Sequence, residues 1–448
     1  MKPFSYIPNT VADRAHMLRS LELSRVEELF ADIPASVRLD RPMNLPASAS
    51  EWELMKELKG LAERNVHLED AISFLGAGAY HHFIPSVVDA VIGRSEFYTA
   101  YTPYQPEISQ GILQAIFEYQ TLVANLLGLE VSNASVYDGA TALGEAALMA
   151  CSHTRRKQVL VARTVHPDHR AVLRTYAAGQ AIGVTELAMS DGQLTLRDLE
   201  RELSDDTAAV IIQYPNFFGS VEDVREIAQR VHARGALLIV STYPVALGLL
   251  EAPGSLGADI AVAEGQSLGN SLSFGGPYLG VMATTSALLR RLPGRIAGQT
   301  KDRDGRRGFV LTLQAREQHI RREKASSNIC SNQALNALAA SVYLSYMGPN
   351  GLREVARQCL VKAHYASDRF TAAGAELAFT GSYFNEFVLR LGTRSDHIVS
   401  ALASEGIYFG VPLGRYYPEL EEHVLVTVTE VMPKAAIDHT AERLEAMM

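Results

Sequence analysis

The sequence predicts an α/β protein with a mostly parallel central sheet, preceded by a helical arm and followed by a small α+β domain. Strand-length apolar runs alternate with helical patterns through the middle of the chain, and such runs are typical of parallel sheets covered on both faces. Capped helical patterns without strands precede them, and the alternation changes after about residue 332. We therefore expect three regions: a helical arm at 1–70, a large α/β domain at 71–331 and a small α+β domain at 332–448.

Composition limits the classes of function. The chain has 448 residues, a formal net charge of −9, and 47% hydrophobic and 20% charged residues, which is ordinary for a globular protein of several domains. The acidic balance argues against a nucleic acid as the main partner. Cys151, Cys330 and Cys359 match neither a disulfide framework nor a zinc motif. Because residues 1–8 lack a signal-peptide pattern and no long apolar span is uninterrupted, the sequence predicts a cytoplasmic protein without a membrane segment.

The arm at 1–70 is expected to contain short helices. Residues 24–27 and 50–53 both have the serine–glutamate spacing of a capping box. The proline-flanked stretch 34–46 between them is predicted to be irregular. Arms of this kind are more often structural than catalytic, so we expect this one to lie on the main body or on a partner.

A tyrosine–proline stretch occupies residues 97–111, with the sequence FYTAYTPYQPEISQG. Its two prolines exclude a continuous helix before residue 106 and favour extended backbone at the residues before them. Because an extended polyproline-like segment repeats every three residues, three tyrosines are expected to share one face: Tyr98, Tyr101 and Tyr104. On residue types alone, an ordered loop whose tyrosines pack on a neighbour explains the pattern as well as a binding site does.

The end of this stretch is predicted to begin a helix. Pro106 suits the first helical position, and Glu107 would lie in the first turn, where a carboxylate complements the helix dipole. Apolar residues recur with helical spacing over 111–127. A second helix, made of small residues, is expected over 142–151, where it can pack closely against a sheet.

The strands of the central sheet are predicted from apolar runs at 158–162, 208–213, 236–240, 258–263 and 278–284. Helical patterns separate them at about 168–178, 195–203 and 222–234. Ligands in such sheets bind beyond the carboxyl ends of the strands. The loops that follow the strands are therefore expected to matter most, at 163–168, 214–219, 241–244 and 264–277.

The region after residue 332 is expected to begin with a long helix at 333–347 that ends before Gly348 and Pro349. Its remaining elements are predicted as a helix, strands at 384–391 and 423–429, a helix at 397–403 between them, and a final helix. Between the sheet and this region, residues 294–308 are expected to be exposed. The charged residues of 314–324 are typical of a solvated helix face.

A large parallel-sheet domain, a long helix and a small α+β domain together suggest the aminotransferase-like architecture of fold type I pyridoxal-phosphate enzymes. Such an enzyme needs a lysine for a Schiff base, an acid beside the pyridine nitrogen and a phosphate cradle at a helix N-terminus. Each group has an expected place in the order of strands and helices.

None of the three groups is found at its expected place. The strand before Ser241 is followed by no carboxylate, and the next strand leads to Glu264 rather than to a lysine. Asp138 stands at the start of the small-residue helix, where a carboxylate would repel a phosphate. Lys301 and Lys324 lie outside the expected loop. We therefore expect that this chain does not bind and activate the cofactor on its own.

Other clusters of functional residue types are weaker. His166 and His169 are metal-ligand types, but Pro167 is expected to prevent a helical pair. The adjacent His81 and His82 are expected to point apart, one packed and one in solvent. No metal site is predicted.

Several motifs together resemble the N-terminal half of the glycine cleavage system P-protein family. The tyrosine–proline stretch is the most specific of them, and the similarity extends over essentially the whole chain. The other matching motifs are YIPNT at 6–10, ELFADIP at 28–34, SFLGAGAYHH at 73–82, NASVYD at 133–138, QYPN at 213–216, GGP at 275–277 and REQHIRREKASSNIC at 316–330.

The resemblance implies a function and partners. In this family the two halves pair like a homodimeric aminotransferase, the second half carries the Schiff-base lysine, and some organisms make the halves as separate chains. This chain resembles the lysine-free subunit 1, whose partner is the cofactor-carrying subunit 2. The resemblance implies that the assembly decarboxylates glycine with pyridoxal phosphate and transfers the aminomethyl group to the lipoyl group of the H-protein, which is reduced.

The resemblance also implies roles for particular residues at the interface with the partner's site. The candidate catalytic residues are Tyr98, Tyr101 and Tyr104. Candidate contacts with the partner's site are Gln105, Glu107, Arg321 and Lys324, and Glu107 would also cap the helix that follows. Arg321, Arg322 and Lys324 are expected to face a cofactor phosphate or an acidic H-protein, although a solvated helix explains any one of them equally well.

Two other interpretations stay open at this point. The chain is a structural or regulatory scaffold whose degenerate fold only stabilises its partner, or it is an independent pyridoxal-phosphate enzyme that uses a displaced lysine. If point changes at 98–107 alter turnover without altering assembly, the chain is an enzyme subunit rather than a scaffold. A visible cofactor absorbance band from the chain alone would favour the second.

Overall fold

The computed structural model describes residue 6, residues 8–325 and residues 327–448. The chain divides into two compact units, Met1–Val66 and His67–Met448. Most of the stretch that lacks a signal-peptide pattern, residues 1–5 and 7, lies outside the described residues. In the described part of the chain, no helix is long and apolar enough to cross a membrane. The further division of the chain at residue 332 stays a prediction.

The first unit contains the helices α1 (Val11–Ser20) and α2 (Glu51–Ala62). The capping box predicted at Ser50 is confirmed, since its side chain and that of Glu53 each accept a backbone N–H of the other residue. Residues 34–46 contain neither helix nor strand, as predicted.

Two details of this unit differ from the predictions. Ser24 bonds Glu28 rather than Glu27, because the turn that follows, Val26–Phe30, is a 3-10 helix that places a different carboxylate over the serine. A capping box missed in the sequence starts α1, where Thr10 accepts the backbone N–H of Asp13 at 3.2 Å.

The second unit contains the remaining helices and all the strands of the described residues. Its helices are α3 (Ser86–Ile92), α4 (Ser95–Tyr98), α5 (Gln110–Leu127), α6 (Gly139–Thr154), α7 (Pro167–Ala178), α8 (Leu196–Glu202), α9 (Val224–His232), α10 (Gln318–Arg321), α11 (Ala334–Ala372), α12 (Ser395–Ala403) and α13 (Lys434–Glu445). Its strands are β1 (Ile72–Ser73), β2 (Val131–Ser132), β3 (Gln158–Ala162), β4 (Gly183–Leu187), β5 (Met189–Ser190), β6 (Gln193–Leu194), β7 (Thr207–Tyr214), β8 (Leu237–Thr242), β9 (Ile260–Glu264), β10 (Gly280–Thr284), β11 (Ile296–Lys301), β12 (Arg307–Thr312), β13 (Glu376–Leu377), β14 (Glu386–Arg390), β15 (Ile407–Tyr408), β16 (Val411–Pro412) and β17 (His423–Thr427).

The central sheet has seven strands in the order β2-β10-β9-β8-β7-β3-β4. The strands from β9 to β4 in this order are parallel, whereas β10 is antiparallel to both of its neighbours. Every predicted strand of the sheet is present. Strand β4 was missed because it is half-buried, with the mixed sequence GVTEL, and so produces no continuous apolar run.

Helix α6 is the small-residue helix, and it packs in the main hydrophobic core against the strands. Its small side chains permit a close approach to α7: a Cβ on Gly144 would lie 2.9 Å from Cγ of Tyr176. The start of α6 at Gly139 is equally crowded, since a Cβ there would lie 2.9 Å from the backbone nitrogen of Glu264. The helix N-terminus is therefore held directly against the end of β9.

The last part of the chain forms a four-stranded sheet in the order β13-β14-β17-β16, covered by helices. The long helix α11 bends at Gly348, whose φ of 60° and ψ of −177° are not helical. The bend is where the sequence predicted the first helix to end. Residues 294–308 were predicted to be exposed, and residues 299–307 are exposed. The stretch belongs largely to the hairpin β11–β12, which the sequence did not predict. Residues 295–297 are buried instead, and Ala297 packs with Phe309 of the other strand against α5.

Candidate functional site

A cavity of about 340 Å³ lies beyond the carboxyl ends of the parallel strands, as predicted for this type of sheet. Its wall includes Asp138 at the start of α6 and Glu264 at the end of β9. His166, the residue before α7, and His169, in the first turn of α7, are also part of it. Two of the four loops singled out in the sequence, 163–168 and 264–277, therefore line this cavity.

Backbone N–H groups at the N-terminus of α6 are hydrogen-bonded to carboxylates of the same chain. Oδ1 of Asp138 accepts the backbone N–H of Thr141 at 2.7 Å, and Oε2 of Glu264 accepts that of Gly139 at 3.0 Å. The other carboxylate oxygen of Glu264 accepts the backbone N–H groups of Gln266 at 3.1 Å and Leu279 at 2.9 Å. Burial raises the pKa of Glu264 to about 7, and the nearby Asp138 adds to the rise.

The residues at the end of β8 are hydroxyl-bearing rather than acidic. Thr242 donates its hydroxyl hydrogen to the carbonyl oxygen of Tyr214 at 2.6 Å. Tyr243 is buried and hydrogen-bonded to His82, whose Nδ1 lies 2.6 Å from Oε2 of Glu430. Cys359 donates to the same carboxylate oxygen at 3.4 Å, which completes a buried network. His82 is thus the packed member of its pair and His81 the exposed one, as predicted.

His166 and His169 are in contact, which the sequence did not predict. Pro167 is the first residue of α7 rather than an interruption, so His166 is the N-cap and the two imidazole rings stack at 4.7 Å. Nε2 of His166 donates to the carbonyl oxygen of Ala77 at 2.8 Å, while its Nδ1 accepts the backbone N–H of Asp168. Nδ1 of His169 has no partner among the described residues, and burial lowers the pKa of His169 to about 3.

These residues do not fit the cofactor of the architecture that the fold resembles. A phosphate at the start of α6 would meet two carboxylates that already accept the N–H groups. The strand that would lead to a lysine leads to Glu264, and β8 leads to no acid. The cavity is therefore not a cradle for pyridoxal phosphate held by this chain alone.

The tyrosine segment, residues 97–111, lies at a second cavity of about 230 Å³. Tyr98, Tyr101 and Pro103 are part of its wall, together with residues of α5 and of the start of α11. Tyr101 is 84% exposed, and Tyr104 is about half exposed beside His319, with the two ring centroids 6.1 Å apart. The tyrosine segment and the basic stretch at 314–324, which are far apart in sequence, are thus neighbours in the fold.

The local conformation of the segment differs from the prediction in two respects. Tyr98 ends helix α4, so the extended stretch begins after it and does not carry all three tyrosines in one regular repeat. Pro106 begins the 3-10 turn Pro106–Ile108 rather than the long helix, which starts at Gln110. Glu107 is consequently exposed and does not cap α5, whose N-cap Ser109 makes no capping hydrogen bond.

The candidate contact residues for a partner are all on the surface. Gln105 and Glu107 flank Pro106, and Arg321 and Lys324 lie in short helical turns after β12. Nε of Arg321 donates to the carbonyl oxygen of Ala315 at 3.2 Å, and its side chain is exposed. Within the motif at 316–330, Ser326 lies outside the described residues.

Arg295 also lines this second cavity, although no motif in the sequence indicates it. It precedes β11, is only 7% exposed, and its guanidinium lies 5.7 Å from the ring centroid of Tyr104. It donates to the carbonyl oxygen of Cys330 at 2.7 Å and to Oδ1 of Asn332 at 3.1 Å. A lone arginine in a glycine-rich stretch carries no local signal, because its partners come from distant parts of the chain.

The chain is similar to proteins of one family over nearly its whole length. Residues 4–444 match the sequence profile described as "Glycine cleavage system P-protein". A protein of Moorella thermoacetica named "Probable glycine dehydrogenase (decarboxylating) subunit 1" is 56% identical over 97% of this chain and 97% of its own length. The protein of the same name from Brevibacillus brevis is 54% identical over 99% of each chain.

Solved structures give the same relationship. The crystal structure of glycine decarboxylase (P-protein) of the glycine cleavage system in inhibitor-bound form superposes with a TM-score of 0.91 at 43% identity, covering 99% of this chain and 100% of that one. A cysteine desulfurase from Thermococcus onnurineus, at 15% identity and a TM-score of 0.63 over 90% of this chain and 99% of its own, shares the fold alone. The fold class predicted from the sequence is confirmed.

Proposed function

Because the chain belongs to the glycine cleavage system P-protein family, we propose that it is the lysine-free subunit of a two-chain glycine decarboxylase. With its partner subunit it acts as a glycine dehydrogenase (decarboxylating), a pyridoxal-phosphate enzyme of glycine catabolism. The partner supplies the Schiff-base lysine. The assembly releases carbon dioxide from glycine and transfers the aminomethyl group to the lipoyl disulfide of the H-protein, which is reduced.

One observation carries the division of labour between the subunits. This chain has the fold of a pyridoxal-phosphate enzyme, yet Asp138 and Glu264 accept the backbone N–H groups that would hold a phosphate. Because this chain's own carboxylates occupy the N–H groups that would bind a phosphate, we expect it to contribute to the reaction through another chain's site. The exposed tyrosine segment and the basic stretch beside it are the surfaces that suit this role.

The tyrosine segment is proposed to complete the partner's active site. Tyr98, Tyr101 and Tyr104 are all exposed in this chain, at 57%, 84% and 48%. Phenols exposed together on one surface are characteristic of buried interface contacts, because a tyrosine contributes a large apolar body and one hydrogen-bonding hydroxyl. Gln105, Glu107, Arg321 and Lys324 are proposed as further contacts around that site.

A reconstitution experiment tests the function. The chain is co-expressed with the lysine-bearing subunit, and the exchange of labelled carbon dioxide with glycine is measured with H-protein present, for the complex and for each subunit alone. We expect exchange only from the complex. Exchange by the partner alone at the full rate of the complex would leave this chain without an enzymatic role and favour the scaffold interpretation.

A double variant tests the tyrosine segment within the complex. Tyr101→Phe with Tyr104→Phe removes two hydroxyls and keeps the rings, so assembly is retained, and we expect the exchange rate to fall about tenfold or more. Tyr346→Phe is the matched control, since Tyr346 is 65% exposed on α11 and is not part of the segment. Full exchange by the double variant would remove these hydroxyls from the mechanism.

A further inference from the structure

Arg295 is a buried cation whose charge has no counterpart in the described part of the chain. It is 93% shielded from solvent, as its 7% exposure shows, and it forms no ion pair with any described residue. Its polar partners, Asn332, Cys330 and Tyr104, are all neutral. Burying a charge without an opposite charge is costly, and buried cations are therefore normally paired.

The hydrogen-bonding capacity of Arg295 is also incompletely used. A guanidinium has five N–H donors, and Nη1 and Nη2 are engaged by Asn332, Cys330 and, at 3.4 Å, the hydroxyl of Tyr104. Nε is buried and has no hydrogen-bond partner among the residues that the structure describes. An unsatisfied buried donor on a charged group is rare in folded proteins and calls for a specific explanation.

A second unsatisfied group belongs to the same cavity. Tyr119, on α5, lines the cavity of the tyrosine segment together with Arg295. Within the described part of the chain, its buried hydroxyl has no hydrogen-bond partner either. The rest of the wall is largely apolar or aromatic, with Ile112, Ala115 and Leu338 among its residues. The cavity thus combines one cation and one hydroxyl with apolar walls, in a volume of about 230 Å³ that suits only a small ligand.

We infer that this cavity binds the carboxylate group of a small ligand, anchored by Arg295. The planar guanidinium matches a carboxylate geometrically and supplies both charge and directed donors, and the hydroxyl of Tyr119 is a further donor. A phosphate group fits less well, because it carries up to two charges and the site offers one cation. The identification of the ligand as glycine rests on the proposed function, whereas the carboxylate site itself does not.

The test uses acetate as the probe, because it carries a carboxylate and cannot react as an amino acid. Saturation-transfer NMR measures its binding to the full chain and to the complex with the partner subunit, at constant ionic strength maintained with chloride. Arg295→Gln keeps a polar side chain with N–H donors and removes its charge. We expect saturable binding of acetate to the native protein, weakened about tenfold or more in this variant.

Two further variants protect the test against misfolding and non-specific charge effects. Arg303→Gln removes an exposed charge at the turn of the same hairpin and should leave acetate binding unchanged. Ala115→Leu fills the cavity without touching the contacts of Arg295, and it should abolish binding even if Arg295→Gln fails to fold. Circular dichroism establishes the folded state of each variant.

The outcomes decide between distinct conclusions. Native-like acetate binding in both folded cavity variants, or no saturable binding by the native protein, would overturn the site. Inorganic phosphate that binds more tightly than acetate, with the same dependence on Arg295, would overturn the assignment to a carboxylate. In the reconstituted complex, a KM for glycine raised about tenfold by Arg295→Gln identifies glycine as the ligand, and an unchanged KM refutes it. A native complex without glycine exchange would refute the proposed function while leaving acetate binding to decide the site.

Discussion

Glu264 shows how one side chain can replace a ligand. Its carboxylate accepts three backbone N–H groups, from Gly139, Gln266 and Leu279. The first of them is at the N-terminus of α6, where a phosphate cradle was expected. These contacts favour the ionised form, yet burial dominates and raises the pKa of Glu264. The carboxyl group of Glu264 therefore changes its charge close to neutral pH.

This perturbed pKa predicts a pH dependence of stability. The pKa of Glu264 rises from 4.5 to about 7 in the folded chain, so the folded chain binds more protons between these values and stability falls as pH rises through the window. Glu264→Gln cannot titrate. The difference in unfolding free energy between native protein and variant should therefore shrink by about 2–3 kcal/mol from pH 4.5 to pH 8.

Chemical unfolding at a series of pH values measures this difference. Glu57→Gln, which removes an exposed carboxylate of α2, is the control and should show no such trend. An offset between native protein and Glu264→Gln that stays constant across the pH range would mean that Glu264 does not titrate there.

Individual site residues were predictable only where a local pattern existed. Asp138 was identified in the sequence as a misplaced acid, and the loop that begins at Glu264 as one without the expected lysine. Both were predictable because the order of strands and helices fixes which loop each residue occupies. Arg295 was not identified, since its partners at Tyr104 and Asn332 are separated from it by long stretches of chain. The stacking of His166 on His169 was missed because Pro167 was interpreted as a break rather than as a helix start.

At the scale of elements, helix α6 connects composition to function. It consists largely of small residues because it is squeezed between the strands and α7, and this packing places its N-terminus against Glu264. A larger side chain on its buried face must displace neighbours in a close-packed core. The helix position, and with it the cavity at the carboxyl ends of the strands, depends on that packing.

A single substitution tests this dependence. Ala146 lies on α6 and is fully buried, so Ala146→Leu should destabilise the chain by about 1–3 kcal/mol through overpacking. Ala171→Leu, on an exposed position of α7, is the matched control and should change stability by no more than about 0.5 kcal/mol. Thermal or denaturant unfolding measures both. Equal effects of the two variants would show that α6 is not tightly held.

The elements also show what a sequence pattern can and cannot determine. Buried strands such as β7 and β8 were located because continuous apolar runs leave few alternatives. The edge strand β4 and the hairpin β11–β12 were missed, because half-buried strands mix polar with apolar residues. In the tyrosine segment the prolines were informative about extended backbone but not about the turn of helix that ends at Tyr98.

At the scale of the whole molecule, the carboxylates at the start of α6 predict that the isolated chain does not bind pyridoxal phosphate at a specific lysine. The purified chain is mixed with the cofactor, reduced with borohydride and digested for mass spectrometry. We expect no lysine of the second unit to be pyridoxylated above the level of free surface lysines, whereas the complex should carry the modification on the partner subunit.

The contrary result is equally clear. Stoichiometric modification of Lys301 or Lys324 in the chain alone would support an independent enzyme with a displaced lysine. A chain denatured before mixing is the control for non-specific labelling, because it exposes every lysine equally.

The carboxylates at the start of α6 also affect how the amount of folded subunit depends on the supply of cofactor. A bound cofactor stabilises the folded protein by an amount that depends on the concentration of free cofactor. The abundance of such a protein therefore depends on the supply of the cofactor. Here Asp138 and Glu264 take the place of that ligand within the fold. The chain should accumulate in its folded form even when vitamin B6 is scarce. Assembly would then be limited by how much loaded partner is available.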